Sequence, residues 1–148
     1  IFILPISLVC IADIEVGSKA PNFILSDQDN VQHQLSDYEG SWVILYFYPK
    51  DDTPGCTTQA CDFRDAVKRI IASRSNVFGV SLDSVESHKR FADKNNLPFS
   101  LLSDETGIVA KAYDSLNWFS FRVFFCLKKI RVQISNDFVQ QRIRIPIV

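Results

Sequence analysis

Residues 42–48, WVILYFY, are apolar without interruption, and Pro49 follows them. A β-branched and aromatic run of this length reads as a strand buried on both faces. Upstream, FILSDQDNVQHQL (23–35) carries two short strand-like stretches around an Asp27–Asn30 turn, which predicts a hairpin. SDYEG (36–40) is a polar break that closes on Gly40. From Thr57 the period changes: Phe63, Val67, Ile70 and Ile71 recur at i, i+4, i+7 and i+8, the apolar stripe of a helix. NVFGVSLD (76–83) predicts a second long strand, and its end offers Asp83 or Ser84 as the cap of the next helix. VESHKRFADKNN (85–96) is amphipathic and is stopped by an Asn pair and Pro98. FSLLSD (99–104) reads as a strand, GIVAKAYDSL (107–116) as a short helix, SFRVFFCL (120–127) as a strand and IRVQIS (130–135) as one more. Strands alternating with helices predict an α/β fold, its sheet containing parallel strands and its helices lying on both faces. In such folds chemistry collects at the carboxyl ends of the strands.

Composition narrows the functional classes. A chain of 148 residues suits one domain with a real core, and 47% hydrophobic with 22% charged residues is ordinary for a globular protein. The net charge of −1 gives no nucleic-acid footprint. His33 and His88 lie far apart and do not resemble a metal-ligand pair. The cysteines are Cys10, Cys56, Cys61 and Cys126, too few for a disulfide scaffold. Their even number still allows two structural bridges, to be weighed against a reactive pair. Cys126, in an apolar strand, reads as a small buried hydrophobe.

The N-terminus begins with Ile, which reads as a fragment or a processed end. IFILPISLVCIA (1–12) fits the apolar region of a signal peptide, with Cys10-Ile11-Ala12 as a cleavage site and Asp13 as the first mature residue. The other reading is a buried N-terminal strand or artefact sequence, since no basic segment precedes it. The run is too short to span a bilayer, and no other apolar run is long enough. The expected location is cytoplasmic, or exported or organellar if residues 1–12 are a leader.

The chemistry concentrates in PKDDTPGCTTQACDF (49–63). Cys56 falls in the first turn of a helix, where unpaired N–H groups and the positive dipole end favour an anion such as a thiolate. Thr53 can bring a hydroxyl beside the sulfur. Pro54 stiffens the approach, and Gly55 lets the backbone come close. Cys61 is five residues on. In an intact helix such a pair has Cα atoms about 8–9 Å apart, whereas a disulfide tolerates at most about 7 Å. A permanent bridge therefore sits badly here, and a bridge that needs the first turn to unwind would be labile. A zinc site would need two further ligands that no Cys/His pair offers. A thioredoxin-type redox motif would show a two-residue spacer.

YFYPKDDTPGCTTQACDF resembles the active-site signature of the peroxiredoxins, Pro-x-x-x-Thr-x-x-Cys, met here by Pro49, Thr53 and Cys56. A second cysteine five residues on, Cys61, resembles the peroxiredoxin Q subfamily, also called bacterioferritin comigratory protein. The resemblance runs from about Gly17 to about Phe125. It implies a thioredoxin-like fold, with a central mixed sheet and helices on both faces. It also implies reduction of hydrogen peroxide and organic hydroperoxides, with thioredoxin or a similar dithiol as donor and no cofactor or metal. By resemblance, Cys56, Cys61, Thr53 and Arg122 are catalytic, while Pro49, Thr53, Gly55 and Arg122 bind the peroxide. Cys56 would become a sulfenic acid, and Cys61 would resolve it as an intramolecular disulfide. The family's arginine opens a strand reading Arg-x-Thr-Phe. Arg122 matches it, but Phe124 stands in place of the threonine. The rival for Arg122 is a surface arginine on an edge strand. The family usually continues into another strand and a closing helix, whereas KKIRVQISNDFVQQRIRIPIV (128–148) is basic, shows no helical stripe and makes the C-terminal part atypical. The expected organisation is a leader at 1–12, a peroxiredoxin domain at 13–127 and a divergent tail at 128–148, working as a monomer. The alternative function is a non-enzymatic redox sensor, or a degenerate relative that keeps the cysteine pair without turnover.

Overall fold

The computed structural model describes residues 17–72, 75–116, 122–127 and 131–135, with side chains for 17–66 and 75–116. Seven strands form one mixed sheet: β1 (Ile24–Ser26), β2 (Gln32–Gln34), β3 (Trp42–Phe47), β4 (Ser75–Ser81), β5 (Ser100–Ser103), β6 (Arg122–Leu127) and β7 (Arg131–Ser135). Their order is β2-β1-β5-β4-β3-β6-β7. β3, β4 and β5 run parallel, joined through helices α1 (Pro54–Ala72) and α2 (Val85–Asn95), while β1, β2, β6 and β7 pair antiparallel. The apolar run at 42–48 thus becomes an interior strand between β4 and β6.

The two faces of β3 follow from the alternation of side chains along a strand. Val43, Leu45 and Phe47 pack with Leu35, Phe78, Val80 and Leu102, and with Val109, Ala110 and Tyr113 of helix α3 (Ile108–Ala112) and its end. Ile44, Tyr46 and Tyr48 pack on the other face with Cys56, Ala60, Phe63 and Ala66 of α1, and with Phe91 and Ala92 of α2. Helices therefore cover both faces of the sheet, which has a thioredoxin-like, mixed α/β architecture.

Local chemistry sets the ends. Ser84 caps α2 by accepting the N–H of Ser87 at 3.3 Å, and Asn96 ends it in the left-handed region at φ 50°. Helix α1 starts at Pro54, three residues before the apolar pattern, because proline at the first helical position gives up only an N–H that would lack a partner. α3 is shorter than the 107–116 pattern: Asp114 turns left-handed at φ 49°, and Ser115 closes the turn onto Ala110 O at 2.7 Å. The polar break at 36–40 holds part of a 3₁₀ turn, Leu35–Tyr38.

β6 is flanked by β7, so the strand that Arg122 opens is not at the sheet edge. Of the tail at 128–148, residues 131–135 form β7; the rest of it, the proposed leader at 1–12 and the question of a closing helix lie outside the described residues. Among the described residues no helix is long and apolar enough to cross a membrane.

Candidate active site

The chain leaves β3 at its carboxyl end and is held in place before it turns into α1. Tyr48 N–H donates to Val80 O at 3.0 Å, and Asp51 N–H donates to Asp83 Oδ2 at 2.9 Å. Asp52 takes a left-handed turn at φ 58°, and Lys94 Nζ reaches its carboxylate at 2.8 Å. Thr53 follows, its hydroxyl donating to Lys50 O at 3.1 Å. The oxygen of that hydroxyl keeps its lone pairs for a further donor.

The first intrahelical bond is Thr57 N–H to Thr53 O at 2.9 Å. Pro54 has no N–H, and the N–H groups of Gly55 and Cys56 make no hydrogen bond among the described residues. No acidic side chain occupies the first turn. Two free donors at a positive dipole end, with no competing anion, form a receptor for negative charge. Cys56 is the third residue of α1 and is 2% exposed. Its side chain joins the apolar cluster of Tyr46, Tyr48, Ala60 and Phe63.

Cys61 lies in the same unbroken helix, half-buried, and both thiols are free. Helical geometry keeps the two Cα atoms about 8–9 Å apart, beyond the reach of a disulfide. Arg122 opens β6 opposite Phe47, two residues before Pro49, which places its backbone at the same end of the sheet as Cys56. Pro49 and Gly55 are exposed, on either side of Thr53. Pro49, Thr53, Gly55 and Cys56 thus gather within one loop and helix start, while Cys61 stands over one turn deeper.

A buried network that the residue pattern did not reveal lies behind this loop. Asp51 is 6% exposed, and its carboxylate accepts from Tyr48 Oη at 2.8 Å, Ser87 Oγ at 2.8 Å and His88 Nδ1 at 2.9 Å. His88 is fully buried, and its Nε2 faces Leu102 O at 3.2 Å. Both ring nitrogens thus face oxygens of other elements, the Asp51 carboxylate at the loop and the Leu102 carbonyl on β5. Burial pulls the Asp51 carboxyl up, but the hydrogen bond and charge of His88, with the donors from Tyr48 and Ser87, outweigh it and hold it below its ordinary value. Burial, with the charge of Asp51 and the hydrogen bond to it, pushes the Tyr48 phenol well up, so it stays a donor. Asp51, Asp83 and His88 also bring three ligand-type atoms within 4.8 Å, but Asp51 and His88 already bond each other, and Asp83 Oδ2 already accepts from Asp51 N–H and from Ser81 Oγ at 2.7 Å. The available signal was the apolar face of α2: His88 shares its buried side with Phe91 and Ala92, at helical spacing.

Residues 16–132 match the AhpC/TSA family. The chain belongs to the AhpC/TSA family. Within it the similarity is to peroxiredoxins of the Bcp and Q kinds. The chain is 50% identical over 101 residues to peroxiredoxin Bcp of Bacillus subtilis, covering 68% of this chain and 64% of that one. It is 49% identical over 106 residues to the chloroplastic peroxiredoxin Q of Triticum aestivum, covering 72% of this chain and 48% of that one. The matched stretch thus spans about half to two thirds of these relatives. Among solved structures, peroxidoxin BcpB of Mycobacterium tuberculosis superposes with a TM-score of 0.76 at 31% identity, covering 84% of this chain and 88% of that one. The Xanthomonas campestris bacterioferritin comigratory protein, described for its alkyl peroxide reduction activity, superposes with a TM-score of 0.73 at 30% identity, covering 82% of this chain and 85% of that one.

Proposed function

We propose that this chain is a thiol-dependent peroxidase acting on hydrogen peroxide and organic hydroperoxides. The observation that carries the reading is the position of Cys56: a buried sulfur on the third residue of α1, with two backbone N–H groups at the helix start that make no hydrogen bond among the described residues. A thiolate there attacks one oxygen of the peroxide. The S–O bond forms as the O–O bond breaks, Cys56 becomes a sulfenic acid, and the departing alkoxide or hydroxide takes up a proton. The free N–H groups and Arg122 stabilise the charge that develops on the oxygens, while the Thr53 oxygen accepts the O–H of the incoming peroxide and orients it. Pro49 and Gly55 shape the approach to the sulfur. Cys61 then attacks the sulfenic sulfur, water leaves, and a Cys56–Cys61 disulfide forms. Because the pair stands too far apart in the intact helix, the first turn of α1 unwinds to let it close. A dithiol partner of the thioredoxin kind returns both cysteines to thiols by exchange. The alkyl peroxide activity named for the Xanthomonas campestris neighbour supports the substrate class. No further reactant is required, and the chain acts as a monomer.

The direct test is peroxide consumption by the chain with thioredoxin, thioredoxin reductase and NADPH. Sustained NADPH oxidation that depends on both the chain and the peroxide is expected. No consumption, with the cysteines fully reduced at the start, would overturn the reading.

A further inference from the structure

The segments on the two sides of Thr53 are bonded very differently. Upstream, the bonds run to other elements of the fold. Tyr48 N–H meets Val80 O at 3.0 Å, Asp51 N–H meets Asp83 Oδ2 at 2.9 Å, and the Asp51 carboxylate takes three side-chain donors. Both nitrogens of His88 are engaged, one by Asp51 and one by Leu102 O. These bonds tie residues 48–51 to β4, α2 and β5. Downstream, the bonds are local to the helix, beginning with Thr57 N–H to Thr53 O at 2.9 Å. Thr58 turns its hydroxyl back onto Pro54 O at 3.0 Å, a bond that competes with regular helix. Gln59 is buried, and its Oε1 has no partner among the described residues. A buried acceptor left unmatched favours any motion that brings it to water.

We propose that Asp51 and His88 are positioning residues for Cys56: the fixed side of a hinge on which the first turn of α1 opens. In this account residues 48–53 stay on α2 and β4 in both redox states, while residues 54–60 unwind. The proposal rests on the reading of Cys56 and Cys61 as a redox pair. Its consequence is a fixed pivot at Thr53, so the Cys56 sulfur returns to the same place after every reduction. Loosening the pivot misplaces the sulfur for attack on peroxide, yet leaves it free to meet Cys61.

The test uses amides whose partners are known. Exchange is followed in the reduced protein and after diamide, which takes two electrons and two protons from the thiols as the disulfide forms. The Thr57 amide should exchange more than ~10-fold faster in the disulfide form, whereas those of Tyr48 and Asp51 should change less than ~2-fold. Opening of the Asp51 amide together with that of Thr57 would overturn the proposal. His88→Asn, whose amide can replace the Nδ1 donor, should keep the Asp51 amide protected after closure, and His88→Leu should lose it. Protection retained in His88→Leu would likewise overturn it. His88→Leu should also slow the attack of Cys56 on peroxide about tenfold with the rate of disulfide closure kept, a split that a general loss of stability would not produce. Should His88→Leu fail to fold, the wild-type amides and His88→Asn decide. A chain that keeps its Asp51 amide protected in the diamide-closed form but consumes no peroxide would retain the hinge and remove the peroxidase reading.

Discussion

The phenol oxygen of Tyr46 lies directly over Gly79: a Cβ built on residue 79 would stand 2.6 Å from it. The missing side chain lets the Tyr46 ring settle between β4 and α1, stacked on Phe63 at 4.6 Å and on Tyr48 at 5.4 Å between centroids. The helix bearing both cysteines is seated on this ring stack. Burial first, then the charges of Asp51, Cys56 and Cys61, push the phenol well above its ordinary range, so Tyr46 stays neutral.

Gly79→Ala should therefore destabilise the fold. The added methyl would also meet Leu101 Cδ2 at 2.8 Å, so both a strand neighbour and the ring must move. Overpacking of this kind costs about 1–3 kcal/mol. The urea midpoint of the reduced protein should fall with an unchanged m-value. A midpoint equal to that of the wild type would mean that the ring stack is looser than described.

Acid should weaken the protein through two buried carboxylates. Burial pulls Asp27 up, but His33 Nε2 at 2.8 Å, the N–H groups of Val31 and Asp29 and the Ser100 hydroxyl hold it below its ordinary value, and Asp51 is likewise lowered. A folded pKa below the unfolded one, near 3.9, means that the unfolded chain binds more protons in that window, so stability rises with pH there. The contribution is complete above about pH 5 and is lost as pH falls through the lowered folded values. Urea midpoints should drop steadily from about pH 5 downward. Asp27→Asn and Asp51→Asn should each flatten that slope, and an unaltered slope in both would contradict the assignment.

Arg122→Ala should slow sulfenic acid formation while sparing the fold. Arg122 enters β6 opposite Phe47, at the sheet end that carries Cys56. Loss of one donor to the developing charge corresponds to about 10²–10³ in rate. Stopped-flow mixing with peroxide measures it, and thermal unfolding controls for stability. A wild-type rate would remove Arg122 from the site and make the phenylalanine at 124 the mark of a lost motif.

The elements were legible wherever periodicity was strong. WVILYFY gave an interior strand, and Ser84 was foreseen as one of two possible caps of α2. The seat of Cys56 was legible too, because Pro54-Gly55 and the later stripe from Phe63 bracket a helix start. His88 was not. Its partner Asp51 is 37 residues away, and no local spacing encodes a contact made by packing α2 against the end of β3. Nor was Tyr46 over Gly79, since their pairing comes from the register of two parallel strands. The end of α3 was overestimated because its pattern continues past the left-handed Asp114.

In the proposed mechanism labour is divided within one helix: Cys56 meets the peroxide and Cys61 resolves it. Mass spectrometry after one equivalent of hydrogen peroxide tests it most directly, on the wild type, Cys56→Ser and Cys61→Ser. The wild type should lose two hydrogens, with a Cys56–Cys61 link in its peptides. Cys61→Ser should gain one oxygen on Cys56, trapped by dimedone as a sulfenic acid, and Cys56→Ser should remain unchanged. Oxygen arriving on Cys61 in the Cys56→Ser protein, with none on Cys56 in the Cys61→Ser protein, would contradict the account.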